Sequence, residues 1–252
     1  MDETYEQRIA IGYVLSIVRT ARGRKQQVGS FIVDWVESHG PSLGIELPVS
    51  TGEKAGEWQR PGRRKAGNAR ITARVDEVEG ARAALEARAK DLRRARPSAT
   101  ERSIREIACL LGLDPLETEL FGALIRFCVF EPAYAINEWW QQLGREPRFT
   151  QSTQLLGWML GAPRRDIAVR LAPEGRLVQS GLVRIGMDYD SELAPLHTLV
   201  KAFQTSTGKN ENLLTIVLGV PSKATLGWED FDHIADDRDH LLHVLEGALA
   251  QK

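Results

Sequence analysis

Two helix-start signatures, at Ser98 and at Asp114, constrain this chain more than any other feature. Ser98 stands three residues before Glu101, the S-x-x-E pattern in which both side chains can satisfy orphan amides at a helix start. Asp114 is followed by Pro115 at the first helical position and Glu117 at the third, a start whose proline has no amide to leave unbonded. Between the two, Ile104, Ile107, Ala108 and Leu111 recur at i, i+3, i+4 and i+7, while Arg105 and Glu106 point the other way. Gly112 ends that stripe, and Leu116, Leu120, Leu124 and Phe127 continue one face beyond the second start. The pattern predicts two short helices joined by a tight L-G-L-D turn. A length of 252 residues gives such a hairpin room to sit in one large domain or two smaller ones, each with its own core.

Upstream, Thr4 to Val36 reads as a helix, a basic turn from Arg19 to Lys25, and a segment F-I-V-D-W-V whose period fits strand or helix. From about Gly40 to Asn68, Pro41, Pro48 and Pro61 with several glycines and the cluster Arg63, Arg64, Lys65 read as a flexible linker. Ala73 to Arg94, rich in Ala, Glu and Arg, predicts a solvent-washed helix. Its thin stripe of Val78, Leu85 and Leu92 suits a docked or connecting helix better than a coiled coil, because Arg82 interrupts the seam. Pro97 stops it. Downstream of the hairpin, helices are expected from about Ala133 to Leu143, with Trp139 and Trp140 near its end, and from about Thr153 to Leu160. After Pro163 come a short helix, a Pro-Glu-Gly turn, a second helical turn and a strand-like L-V-R-I. The β-branched run Leu213 to Leu218 is expected to pair with that strand. Helices followed by a two-stranded ribbon outline a winged helix.

Composition narrows the partners. With 33 basic and 34 acidic side chains, no global field argues for nucleic acid or anionic lipid. The balance is uneven along the chain: Lys54 to Arg96 holds 13 basic and 6 acidic side chains, and the last 28 residues hold 7 acidic and 2 basic. No aromatic ladder interleaves the basic stretch as base stacking would need, so a solvated arm and charged helix is the reading adopted. The longest apolar run, Ile9 to Val18, is ten residues long, short of the roughly 20 needed to cross a bilayer. Asp2, Glu3 and Glu6 ahead of it do not suit an export signal. Cys109 and Cys128, each in an apolar helical stretch, read as buried reduced thiols of a cytoplasmic protein.

No catalytic, cofactor-binding or metal constellation emerges. The fragments S-T-G-E-K at Ser50 to Lys54 and S-T-G-K-N at Ser206 to Asn210 lack the first glycine and the trailing hydroxyl of a phosphate-cradling loop. His233, Asp237, His240 and His243 have spacings that could face one metal from a helix. Without an H-E-x-x-H pattern, the polar face of an acidic helix start is preferred. No nucleophile elbow surrounds Ser180, and Asp188 with Asp190 reads as a solvated turn. Arg164, Arg165 and Arg170 lie on or beside the helix where a winged helix would meet a DNA groove.

The segment Leu111 to Gly186, with L-G-L-D-P-L-E-T-E-L-F-G-A-L-I, T-Q-L-L-G-W-M-L-G and L-A-P-E-G-R-L-V-Q-S-G-L-V-R-I, resembles the helical and winged-helix region preceding the ATPase module in a family of bacterial AAA+ ATPases. Trp228 to Leu249 resembles the linker and first helix leading into that module, with Asp230, Phe231 and Asp232 in the entry phrase and Phe231 as its packing anchor. The family's nucleotide-binding loop, ATP and Mg would belong to a module beyond Lys252, so no family catalytic residue carries over. Periodicity and composition give a mainly α fold with a small β ribbon and divide the chain into an N-terminal helical segment (1–39), a flexible basic linker (40–70), a charged connecting helix (71–97) and a helical and winged-helix-like domain (98–220), and the resemblance makes 221–252 the linker and first helix leading toward the module. The function it implies is a regulatory or partner-binding region of an AAA+ ATPase, with a protein partner or its own module, no membrane, and hexamers only when the module is present. The alternative is a stand-alone winged-helix DNA-binding regulator.

Overall fold

A computed structural model describes residues 3–21, 24–45, 75–143, 148–185 and 193–205. Within them the chain is mainly helical with one small antiparallel ribbon. Helix α1 (Glu3–Thr20) is followed by α2 (Lys25–Leu43), α3 (Val75–Asp91) with a closing 3-10 turn at Leu92–Arg94, and the predicted hairpin of α4 (Ala99–Leu110) and α5 (Pro115–Val129). Then come α6 (Glu131–Leu143), α7 (Arg148–Leu160), the short α8 (Arg164–Arg170) and α9 (Arg176–Gln179), strands β1 (Val183–Ile185) and β2 (Leu193–Pro195), and α10 (His197–Thr205).

The ambiguous F-I-V-D-W-V segment is helical, because Phe31, Ile32, Trp35 and Val36 are buried together at helical spacing. The helix does not stop at Gly40 as the linker reading expects; it continues through Pro41 to Leu43. Pro41 removes one amide near the end of the helix, and the carbonyl of exposed Glu37 that this deprives can turn to water. Fully buried Leu43 and buried Ile45 hold the last turn down. Gly44 adopts a left-handed φ of 68°, and the Ile45 amide donates 2.8 Å to the Gly40 carbonyl, closing the helix end.

Helix α1 is the hub, packed by α2, α3, α6 and α7, so burial spreads around it from Tyr5 and Ala10 to Val14 and Ile17. Polar ties fix the neighbours: Ser16 Oγ donates 2.8 Å to the Trp158 carbonyl on α7, and Gln7 Nε2 donates 2.9 Å to the Ser42 carbonyl on α2. The charged helix α3 docks through Ala81 and Leu85, with Leu92 buried after it, and Arg88 Nε donates 2.6 Å to the Leu43 carbonyl. Aromatic packing joins α2 to α6 and α7: Phe31 stacks on Trp139 at 4.0 Å between centroids, and Trp140 meets Trp158 edge to face at 4.8 Å. One continuous apolar core therefore runs from Ala10 to Phe203 through segments that the sequence separates by linkers.

Asp114 caps α5 as expected, accepting 2.7 Å from the Glu117 amide while the Glu117 side chain accepts 2.8 Å from the Asp114 amide. In the ribbon, β1 has a partner that the sequence pattern does not announce. Strand β1 pairs antiparallel with β2 in the register Val183 to Pro195, Arg184 to Ala194 and Ile185 to Leu193. The run Leu213 to Leu218 lies outside the described residues. The short L-A-P strand carries no sequence signal, since it is three residues long and ends in a proline tolerated only at a sheet edge.

Candidate functional site

The helix that a DNA-reading fold would present is α8, anchored by fully buried Ile167. Arg164 and Arg165 are exposed on it, but Arg170 is committed elsewhere. Its Nε and Nη2 each stand 2.9 Å from Asp114 Oδ2, tying α8 to the cap of α5. Burial opposes ionisation of Asp114, but Arg170 and the amides of Glu117 and Leu116 outweigh it and hold the carboxyl below the ordinary aspartate range. Arg176, at the start of α9, likewise donates to the Gly112 carbonyl in the hairpin turn. Of the three arginines singled out from sequence, two remain available to a partner and the third is a structural tie.

The strongest electrostatic feature was not legible beforehand. Arg126, 2% exposed, donates through Nε to Glu6 Oε2 at 2.6 Å and through Nη2 to Glu101 Oε2 at 2.5 Å. Glu101 also accepts 2.6 Å from Arg105 Nε, and Ser98 Oγ donates to Glu6 while accepting 3.0 Å from the Glu101 amide. The S-x-x-E signature is thus only half a capping box. Its serine caps α4, but the Glu101 carboxylate turns to two guanidinium groups instead of the Ser98 amide. Burial penalises the Glu101 charge, and hydrogen bonds from Arg126 and Arg105 more than compensate, leaving its pKa below the usual glutamate value. Burial likewise disfavours the Arg126 cation, and the surrounding Tyr13, Glu6 and Glu101 keep its pKa above the ordinary arginine value. Tyr13, fully enclosed, has its phenol pushed up to about 12, chiefly by desolvation. The available signal was a single charge inside the otherwise uncharged run Leu120 to Val129.

Gly122 makes room for this network. A Cβ there would stand 2.8 Å from Arg126 Nη1, which its two carboxylate partners hold in place. Gly-to-Ala in a helix interior ordinarily gains about 1 kcal/mol. Here Gly122→Ala is expected to lose about 1–3 kcal/mol in chemical denaturation through overpacking, and a stabilised variant would show that Arg126 is not held.

Between α5, α6, α7 and β2 lies a cleft of about 130 Å³ lined by Leu124, Phe127, Leu155, Leu156 and Pro195, with half-exposed Tyr134 at its mouth. It is below the roughly 300–1,000 Å³ usual for small-molecule sites. Cys109 and Cys128 are exposed, contrary to the buried-thiol expectation: Cys109 is turned about 100° from Ala108, the last buried residue of α4, and Cys128, on the stripe of Phe121 and Leu124, stands in the last turn of α5 at the edge of this cleft. Neither is in a disulfide. Ser180 closes α9, its Oγ donating 3.3 Å to the Leu177 carbonyl. Among the described residues no group of His, Cys, Asp and Glu is arranged to hold a metal, and no helix is long and apolar enough to cross a membrane. Asp188, Asp190, the fragments at Ser50 and Ser206, the histidines from His233 to His243 and the Trp228 to Leu249 phrase lie outside the described residues. No protein-family model matches the chain, and neither a curated protein nor a solved structure does.

Proposed function

We propose that this chain is a cytoplasmic regulatory or partner-binding region of the kind that precedes the ATPase module in bacterial AAA+ ATPases, with no catalytic activity of its own. What supports the reading is the order of elements along Leu111 to Ile185: the capped helix α5, two further helices, the short α8 and α9, and the first strand of an antiparallel ribbon. That is the succession the resemblance to the winged-helix-containing region implies. The stand-alone DNA-binding alternative loses part of its footing because Arg170 is held by Asp114.

The coding DNA after codon 252, and the genes beside it, provide the test. A module bearing G-x-x-x-x-G-K-[ST] in frame or adjacent is the expected finding, and its absence from every frame would overturn the proposal. Mixed with that module at 100 times the dissociation constant, the chain should gain about 2.7 kcal/mol of apparent stability. Unchanged melting at saturating module would equally refute a partner-binding role.

A further inference from the structure

Among the described residues a second group of exposed cations lies away from α8, at the corner where α3 ends and α4 begins. Lys90, Arg93 and Arg94, at i, i+3 and i+4, line one shallow open hollow together with the acid Asp91. Arg96 is exposed two residues on. Exposed Arg102, from the first turn of α4, folds its guanidinium back to this corner, donating 2.9 Å to the Pro97 carbonyl. Lys90, Arg93, Arg94 and Arg96 make no ion pair with an acid among the described residues. The neighbouring Arg88 is different, since it serves the Leu43 carbonyl. Glu101, the other acid of this stretch, is buried under Arg126 and Arg105 and adds no negative charge to the surface.

Clustered cations resist one another unless something anionic covers them, and four of these five are arginines, whose planar forks match phosphate oxygens bidentately. From Val75 to Arg105 there is no Phe, Trp or Tyr on which a base could stack, which disfavours single strands. We infer that the α3–α4 corner, with Lys90, Arg93, Arg94, Arg96 and Arg102, binds the phosphate backbone of double-stranded nucleic acid without reading sequence. This surface is independent of the proposed ATPase association and of Arg164 and Arg165.

The test is fluorescence anisotropy of the full chain with labelled duplex DNA of scrambled sequence, a duplex RNA of equal length, and polyglutamate of matched charge, from 50 to 200 mM salt. Both duplexes should bind, with affinity falling steeply as salt rises. The triple variant K90Q/R93Q/R94Q should weaken DNA binding at least tenfold and flatten the log–log salt slope by about three, one for each phosphate contact removed. Its melting curve should match that of the parent chain, because all three side chains are exposed. R164Q/R165Q should bind as the parent does. The inference is overturned if neither duplex binds at 50 mM salt, if the triple variant binds normally, or if R164Q/R165Q carries the loss. Polyglutamate binding without duplex binding would also overturn it, in favour of an acidic protein partner.

Discussion

Arg126→Ala should lower the unfolding free energy by about 3–5 kcal/mol, the cost expected when one member of a buried ion network leaves its partners uncompensated. Arg126 is the only cation within hydrogen-bond distance of Glu6 among the described residues, and the Glu6 side chain is 3% exposed. Glu101 keeps Arg105, so Glu6 suffers more from the loss. Replacing all three charges together, as Glu6→Gln, Glu101→Gln and Arg126→Met, removes the uncompensated carboxylates and should recover much of the stability. Urea denaturation of the two variants separates a network of mutual support from a cavity effect. If the triple variant is as unstable as Arg126→Ala, lost packing is the cause.

The pH response adds a second readout with a definite sign. In the parent chain the Glu101 carboxyl is held below its ordinary value by Arg126 and Arg105 against the penalty of burial. A depressed acid contributes stability that is present above the unfolded pKa of about 4.3 and is lost as pH falls through the folded value. The parent chain should therefore destabilise below about pH 4.3. In Arg126→Ala, burial disfavours the ionised Glu101 carboxylate with only Arg105 left to offset it, so acidification from neutral pH toward 5 should relieve part of the deficit. A variant that loses stability in parallel with the parent over that range would contradict this account of the network.

Trp35→Ala should cost about 3–5 kcal/mol, as expected for deleting a buried aromatic ring. Trp35 is 3% exposed, and its indole Nε1 donates 3.0 Å to the Pro132 carbonyl at the start of α6, 97 positions along the chain. It therefore ties the N-terminal helices to the segment after the capped hairpin. Trp35→Phe keeps most of the apolar contact but removes the indole bond to a carbonyl that the α6 ladder also uses, at an expected cost of about 0.5–1.5 kcal/mol. Both variants should unfold in one cooperative transition, because α1 to α3 share a continuous core with α5 to α10. Two separated transitions in calorimetry would mean that the N-terminal helices form a unit of their own.

Local chemistry was readable from sequence wherever the signal and its cause lay within one or two helical turns. The cap of α5 is an example: Asp114, Pro115 and Glu117 need only each other and the nearby amides, and they act as their spacing predicts. The docked reading of α3 likewise follows from Leu85 and Leu92 on one stripe. The cysteines fail for a simple reason. An apolar neighbourhood in sequence wraps around a helix, so one residue past Ala108 the side chain already faces outward, and Cys128, though on the buried stripe, stands where α5 runs out of cover. Glu101 fails differently. Its position three residues after Ser98 suits a capping box, but a guanidinium from another helix offers charged donors that a backbone amide cannot match.

The helical hairpin and its turn, the mainly α class and the skewed distribution of charge are legible in the sequence, because these depend on periodicity, caps and counts. The sequence could not determine that F-I-V-D-W-V is helix, that Pro41 lies inside one, or that a three-residue L-A-P segment partners β1. Those depend on which distant surfaces bury Leu43, Phe31 and Leu193. The roles of the arginines were decided at the same level. Identical in chemistry, Arg126 is buried between two carboxylates, Arg170 braces Asp114, and Arg93 and Arg94 face solvent. An arginine's cost or use depends on the desolvation and partners that only the packed chain supplies.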